Sequence, residues 1–330
     1  MTTTRLLAAL ALLGPTLAPA PAAELRRGPY LQVPRPDGIT VRWRTDPSVK
    51  HTSVLRYGTS PDKLDRAVAA VEAGGHFPNC LDWQATVNGL EPDTLYYYAI
   101  EADRAVLCGA DERHRFRTSP KVGEARKLRF WLLGDSGSNR PRPGDLKAAL
   151  AADVPDPIKV RNGLRKFAAG QPPDGIILLG DNAYPFGTDE QYQAALFNVY
   201  ADELRAVPLW PCTGNHDMDA AYKYIFTTNA DGKAGGRPSG SPFYYAADVG
   251  NLHLVVLDPW KCWLEETEDE AHLPWKRQLD WLEKDLASTR QQWVWAVQHF
   301  PPYCDGNYNS DSNGPLVKLR QRLVPLFDEF

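Results

Sequence analysis

The chain has 330 residues, 43% of them hydrophobic and 24% charged, with a formal net charge of −4. That length allows more than one packed core. The mild acidity, with no basic run or basic–aromatic stripe, argues against a nucleic-acid partner.

The N-terminus sets the expected compartment. Met1–Ala23 carries one positive charge, Arg5, then the apolar run Leu6–Leu13, then Ala18-Pro19-Ala20-Pro21-Ala22-Ala23. A charged start, a short greasy centre and a small-residue exit are the parts of a secretory signal peptide. The apolar run is far shorter than the ~20 residues a spanning helix needs. The expectation is a secreted chain, extracellular or periplasmic, with no membrane contact after cleavage. In such an oxidising place, Cys80, Cys108, Cys212, Cys262 and Cys304 read as two pairs and one free thiol.

From 24 to 119 the pattern is all-β. Ile39–Arg44, Ser53–Tyr57, Trp83–Val87, Thr94–Ala102 and Arg113–Thr118 alternate, separated by Pro36-Asp37-Gly38, Asn88-Gly89 and Pro92-Asp93. Short strands at this spacing predict a β-sandwich of the immunoglobulin or fibronectin type III kind. The charged stretch 120–127 reads as a linker.

From 128 to 330 the rhythm changes. Leu128–Leu133, Ile176–Leu179, Leu252–Leu257 and Trp293–Val297 are continuous apolar runs, suited to strands buried on both faces. Between them lie amphipathic helices, clearest where Pro274 opens a stripe of Trp275, Leu279, Leu282 and Leu286. Strands alternating with helices predict a layered α/β domain. A last helical stripe runs from Leu316 to Phe330, with a restart expected at Pro325 and no stop signal after it.

Four apolar segments of this second domain run into polar residues able to hold a metal. They read Gly134-Asp135-Ser136-Gly137, Gly180-Asp181-Asn182-Ala183-Tyr184, Gly214-Asn215-His216-Asp217 and Val297-Gln298-His299. Each alone reads as turn chemistry or a structural histidine. Ligands of open α/β sheets sit beyond the carboxyl ends of strands, so the four in order should converge on one cleft.

The ordered blocks GDSG, GDNAY, GNHD and VQHF resemble four of the five signature blocks of the binuclear metallophosphoesterases. The tyrosine of the second block is similar to that of the purple acid phosphatase branch. Gly28-Pro29-Tyr30-Leu31-Gln32 with Val41-Arg42-Trp43 resembles the opening of that branch's N-terminal domain.

The resemblance implies an α-β-β-α catalytic domain and hydrolysis of a small phosphate monoester by a metal-activated hydroxide. Asp135 and Tyr184 would bind the first metal, Asp181 would bridge, and Asn215 and His299 would bind the second. His216 would stay off the metals and assist the leaving group. A phenolate ligand favours iron(III) at the first site, with iron(II), zinc or manganese at the second.

Two departures stand out. The fifth block, Gly-His-x-His, is absent from the sequence; the expectation is that it follows Phe330, that the catalytic domain lacks its C-terminal end, and that each metal lacks one ligand. The loop after His299, Tyr303 to Asn309, contains no histidine. A phosphodiesterase or nucleotidase on the same centre, or a non-catalytic binding module, are the competing readings.

The remaining residues read as structural. His253 falls inside an apolar strand and is expected in the core, whereas His51, His76, His114 and His272 are expected in solvent. The tryptophans are expected in the core and the domain interface, with Trp260 and Trp263 possible at the cleft rim. Cys262 and Cys304 each follow a strand of the same sheet edge, which points to a disulfide between them. Cys80 would then pair with Cys108, leaving Cys212 free.

Overall fold

A computed structural model describes residues 23–74, 77–137, 156–217, 220–259, 274–306 and 308–330. The signal-peptide expectation, Cys262, Trp260, Trp263, His76 and His272 therefore lie outside the described residues. Among the described residues no helix is long and apolar enough to cross a membrane.

The first half is a β-sandwich. One sheet contains β1 (Leu25–Arg35), β2 (Gly38–Thr45), β6 (Leu81–Val87) and β5 (Val71–Glu72). The other contains β3 (Ser53–Gly58), β4 (Arg66–Ala69), β7 (Leu95–Ala102), β8 (Ala105–Gly109) and β9 (Arg115–Arg117). Alternate residues of the two inner faces, among them Leu31, Val41, Trp43, Leu55, Tyr96, Tyr98 and Ile100, meet in one core, as the period of two requires.

In the second half, β10 (Phe130–Leu133), β11 (Gly175–Leu178) and β12 (Leu209–Trp210) are parallel. A second sheet holds β13 (Tyr245–Val249), β14 (Leu252–Val256) and β15 (Trp293–Val297). The two sheets share a core of Ile177, Trp210, Tyr245, Ala247, Leu254 and Val256. Outside the first sheet pack α1 (Asp156–Ala168), α2 (Asp189–Tyr192), a π-helical turn (Gln193–Phe197), α3 (Ala201–Leu204) and α4 (Ala221–Ile225). Outside the second pack α5 (Pro274–Ser288) and α6 (Gly314–Glu329), through Trp281, Leu282, Leu286, Leu316, Leu319 and Leu323. The layers are α-β-β-α. Pro274 does open α5, but α6 runs through Pro325 without a restart.

The halves are not independent beads. β1 pairs with β12 in parallel, Gln32 opposite Leu209, so one seven-stranded sheet runs β10-β11-β12-β1-β2-β6-β5 across both. Tyr30 Oη and Arg42 Nη1 donate to the Ile225 carbonyl at 2.8 and 2.6 Å, and Gln32 Oε1 accepts from Thr227 N at 2.9 Å.

Three expectations need correcting. Cys80 and Cys108 are both free. Cys80 adjoins the β6–β5 edge, whereas β8 carries Cys108 at the end of the other sheet, whose opposite end, β4, lies over β6. The sandwich holds the two thiols at opposite edges. Cys304 is bonded to no described cysteine. His114 is buried rather than solvated, bonded through Nδ1 to Asp111 at 2.9 Å and set edge-on to Tyr98. Finally β15, expected to be covered on both faces, has Trp293, Val294 and Trp295 at 40–57% exposure. It is the edge strand of its sheet, with no described strand beyond it.

Candidate metal centre

The site is built from the loops that end β10, β11, β12 and β15. The first two loops are tied together: Asp135 N donates to the Gly180 carbonyl at 3.1 Å and Gly137 N to the Asp181 carbonyl at 3.2 Å. Asp135 and Asp181 both sit at φ 53°, the left-handed region that costs a non-glycine residue of order 1–3 kcal/mol and clusters at functional sites. Two glycines leave the room the ligands need. A Cβ on Gly214 would fall 2.3 Å from Asp181 Oδ1, and one on Gly180 would fall 2.8 Å from the His299 side chain.

The structure brings the five candidate ligands together. Among the described residues, ligand atoms of Asp135, Asp181 and His299 lie within 4.8 Å of one another. The Tyr184 hydroxyl donates to Asp135 Oδ1 at 2.9 Å and Asp181 Oδ2 at 2.7 Å. Asn215 Oδ1 is 3.2 Å from His299 Nε2. His216 stands beside the cluster. Its backbone N–H donates to Asp181 Oδ1 at 2.8 Å, its Nδ1 bonds the Pro185 carbonyl at 2.8 Å, and its ring lies 4.4 Å from that of Tyr184.

The donor set fits a metal on an observation of the chain itself. His299 donates from Nδ1 to the Leu179 carbonyl at 2.9 Å, so Nε2 faces Asp181 Oδ2 at 3.5 Å and Asn215 Oδ1 at 3.2 Å. A neutral ring so held points a lone pair at two oxygens, an arrangement that a cation between them satisfies. A backbone carbonyl fixing the far nitrogen is the usual support for a ligating imidazole.

Burial pushes Asp181 up, but the bond and charge of His299, with the His216 N–H and the Tyr184 hydroxyl, hold its carboxyl below the ordinary range. Burial pushes His299 down, and its bond to Asp181 raises it more. Burial and the two carboxylates push the Tyr184 phenol well above its usual value. A metal at Tyr184 must displace that proton, which a trivalent ion does most readily.

Three supporting residues escaped the sequence reading. Asp217 is buried and accepts from Gly214 N at 2.9 Å, Asn182 N at 3.2 Å, Asn182 Nδ2 at 3.0 Å and Tyr192 Oη at 2.5 Å. Burial pushes it up to about 6 against those four bonds. Asp217 closes the third block, which was its only signal; nothing in sequence linked it to Asn182 or Tyr192.

Residues 128–324 match the family described as calcineurin-like phosphoesterase, and 27–118 match the family described as purple acid phosphatase, N-terminal domain. The chain belongs to the calcineurin-like phosphoesterases, with a purple acid phosphatase N-terminal domain.

It is 27% identical over 225 residues to tartrate-resistant acid phosphatase type 5 of Homo sapiens, covering 62% of this chain and 64% of that protein. It is 25% identical over 248 residues to purple acid phosphatase 13 of Arabidopsis thaliana, covering 66% of this chain and 42% of that one. The chain thus spans less than two thirds of these relatives. The solved structure of PhoD superposes with a TM-score of 0.57 at 15% identity, covering 92% of this chain and 68% of that one, which supports the fold.

Proposed function

We propose that the protein is an acid phosphatase acting on small phosphate monoesters at a two-metal site, exported from the cell. The observation that carries this is the convergence of Asp135, Asp181, Tyr184, Asn215 and His299, with His216 beside them and off the cluster.

Asp135 and Tyr184 would hold one metal, Asn215 and His299 the other, and Asp181, placed between the two groups, would serve both. When bound, the metals supply positive charge to the phosphate oxygens and lower the pKa of water. Iron(III) suits the tyrosine side; iron(II), zinc or manganese suits the amide–imidazole side.

The chain's own groups do the positioning and the proton work. The His216 backbone N–H fixes one oxygen of Asp181, leaving the other toward Tyr184 and His299. His216 Nδ1 donates to the Pro185 carbonyl, so Nε2 bears a proton only in the imidazolium form, and in that form His216 would be the general acid for the departing oxygen. In a partly buried site such a donor contributes ~10²–10⁴-fold.

The test is a comparison of p-nitrophenyl phosphate with bis(p-nitrophenyl) phosphate on metal-loaded protein. A higher kcat/KM for the monoester supports the reading, and preference for the diester would move it to a phosphodiesterase. Hydrolysis of neither would return the chain to the non-catalytic alternative.

A further inference from the structure

The β-sandwich does more than accompany the catalytic layers. Arg27 on β1 is 1% exposed and Arg44 on β2 is 3% exposed, yet both point away from the sandwich core. Arg27 donates from Nη2 to Asp189 Oδ1 at 2.9 Å and from Nε to Gln193 Oε1 at 2.7 Å. Arg44 donates from Nη1 to Asp189 Oδ2 at 2.5 Å. Two arginines of one domain therefore grip a single carboxylate at the start of α2, and Arg27 also lies 3.9 Å over the Phe197 ring.

The helix they grip carries Tyr192, fully buried, whose hydroxyl donates to Asp217 at 2.5 Å. Asp217 in turn holds Asn182, the neighbour of Asp181, and Gly214, the neighbour of Asn215. A second strand of the same contact runs through Gln191. Its side-chain oxygen accepts from Phe186 N at 2.9 Å and Thr188 N at 3.2 Å, fixing the loop that follows Tyr184. Charged, buried, hydrogen-bonded pairs are the strong links in such chains.

We infer that the N-terminal sandwich positions the metal ligands: Arg27 and Arg44 hold α2, and Tyr192, through Asp217, sets the spacing of the Asp181 and Asn215 loops. Neither arginine touches the site, so each is a positioning residue that acts through Asp189, Tyr192 and Asp217. The inference rests on the reading of the site as a metal centre. Partners one shell out from a ligand are worth ~10–100-fold in metal affinity. A link one bond further out should be worth about 3–10-fold, within the range of measured couplings.

The experiment is Mn²⁺ binding by calorimetry to the chain and to Tyr192→Phe, Arg44→Gln and the double variant. Amide exchange over 180–184 and 214–217 is measured alongside. Tyr192→Phe should weaken Mn²⁺ by about tenfold and Arg44→Gln by about threefold. Both should speed exchange in both loops. Because both changes act through the same short helix, the losses should be less than additive, with only the Gln191 route left for Arg44→Gln to add to Tyr192→Phe. Asp189→Asn tests the same link if Arg44→Gln folds poorly.

Val41→Ala is the control for a merely structural effect. It opens a cavity in the sandwich core, where Val41 is fully buried, and should lower Tm while leaving Mn²⁺ affinity unchanged. Folded Tyr192→Phe and Arg44→Gln with wild-type Mn²⁺ affinity would overturn the inference, as would full additivity or an equal loss in Val41→Ala. Absence of Mn²⁺ binding to the wild-type chain would overturn it together with the metal-centre reading. Mn²⁺ binding that follows the predicted pattern without phosphoester hydrolysis would refute the phosphatase and leave this inference standing.

Discussion

His253 sits fully buried between two carboxylates, bonded through Nδ1 to Asp248 at 2.8 Å and through Nε2 to Asp285 at 2.7 Å. The three residues come from β14, β13 and α5, so the imidazole pins that helix to the second sheet. A neutral ring has one N–H and can satisfy only one carboxylate, so the native state favours imidazolium. Burial pushes the ring down, but bonds to Asp248 and Asp285 and their charges raise it from 6.5 to about 9. A folded value above the unfolded one means the stabilisation is complete below about pH 6.5 and is lost as pH rises through about 9. That interval corresponds to about 3 kcal/mol. Urea unfolding followed by tryptophan fluorescence, from pH 6 to 10, measures it. Wild type should lose about 3 kcal/mol more across this range than His253→Gln, which has no proton to lose there. Parallel pH profiles for the two proteins would refute a charged His253.

Two further expectations concern single side chains. Tyr184→Phe in iron-loaded protein should remove the visible charge-transfer absorption of a phenolate–iron(III) bond; a colourless wild-type protein active with zinc or manganese alone would refute the iron assignment. Peptide mapping of the protein without reduction should show no Cys80–Cys108 crosslink, and Cys80→Ser should lower the unfolding free energy by less than the ~2–5 kcal/mol that follows removal of a native disulfide.

The parts of this molecule legible in sequence are those that short-range chemistry dictates. A short apolar run bounded by turn residues, such as Ile176–Leu179, suits a buried strand, and a Gly-Asp or Asn-His after it marks where polar groups emerge. Direction along the sheet then brings Asp135, Asp181, Asn215 and His299 to one end without any knowledge of distance. The rest depends on partners far away in the chain. On β2, Val41 and Trp43 alternate with Arg42 and Arg44, which reads as one core face and one wet face. In the structure both faces are covered, because α2 and Ile225 lie against the arginines. The pairing of Gln32 with Leu209 joins strands about 180 residues apart, a register no local pattern encodes. His114 reads as solvated, and Asp217 gives no signal beyond its block, for the same reason: a polar residue in a turn is exposed unless something distant, here Tyr98 or Tyr192, closes over it.

The central claim is that the four strand-end loops hold metals for phosphoester hydrolysis, and Asp181 is the group on which Tyr184, His216 and His299 all converge. The direct test is p-nitrophenyl phosphate hydrolysis by chelator-stripped protein before and after metal is added back, beside Asp181→Asn treated identically. The account predicts activity that appears with iron, zinc or manganese in the wild type and falls by at least ~100-fold in Asp181→Asn, as expected for loss of a bridging ligand. Hydrolysis that survives stripping, or that Asp181→Asn supports at the wild-type rate, would contradict it.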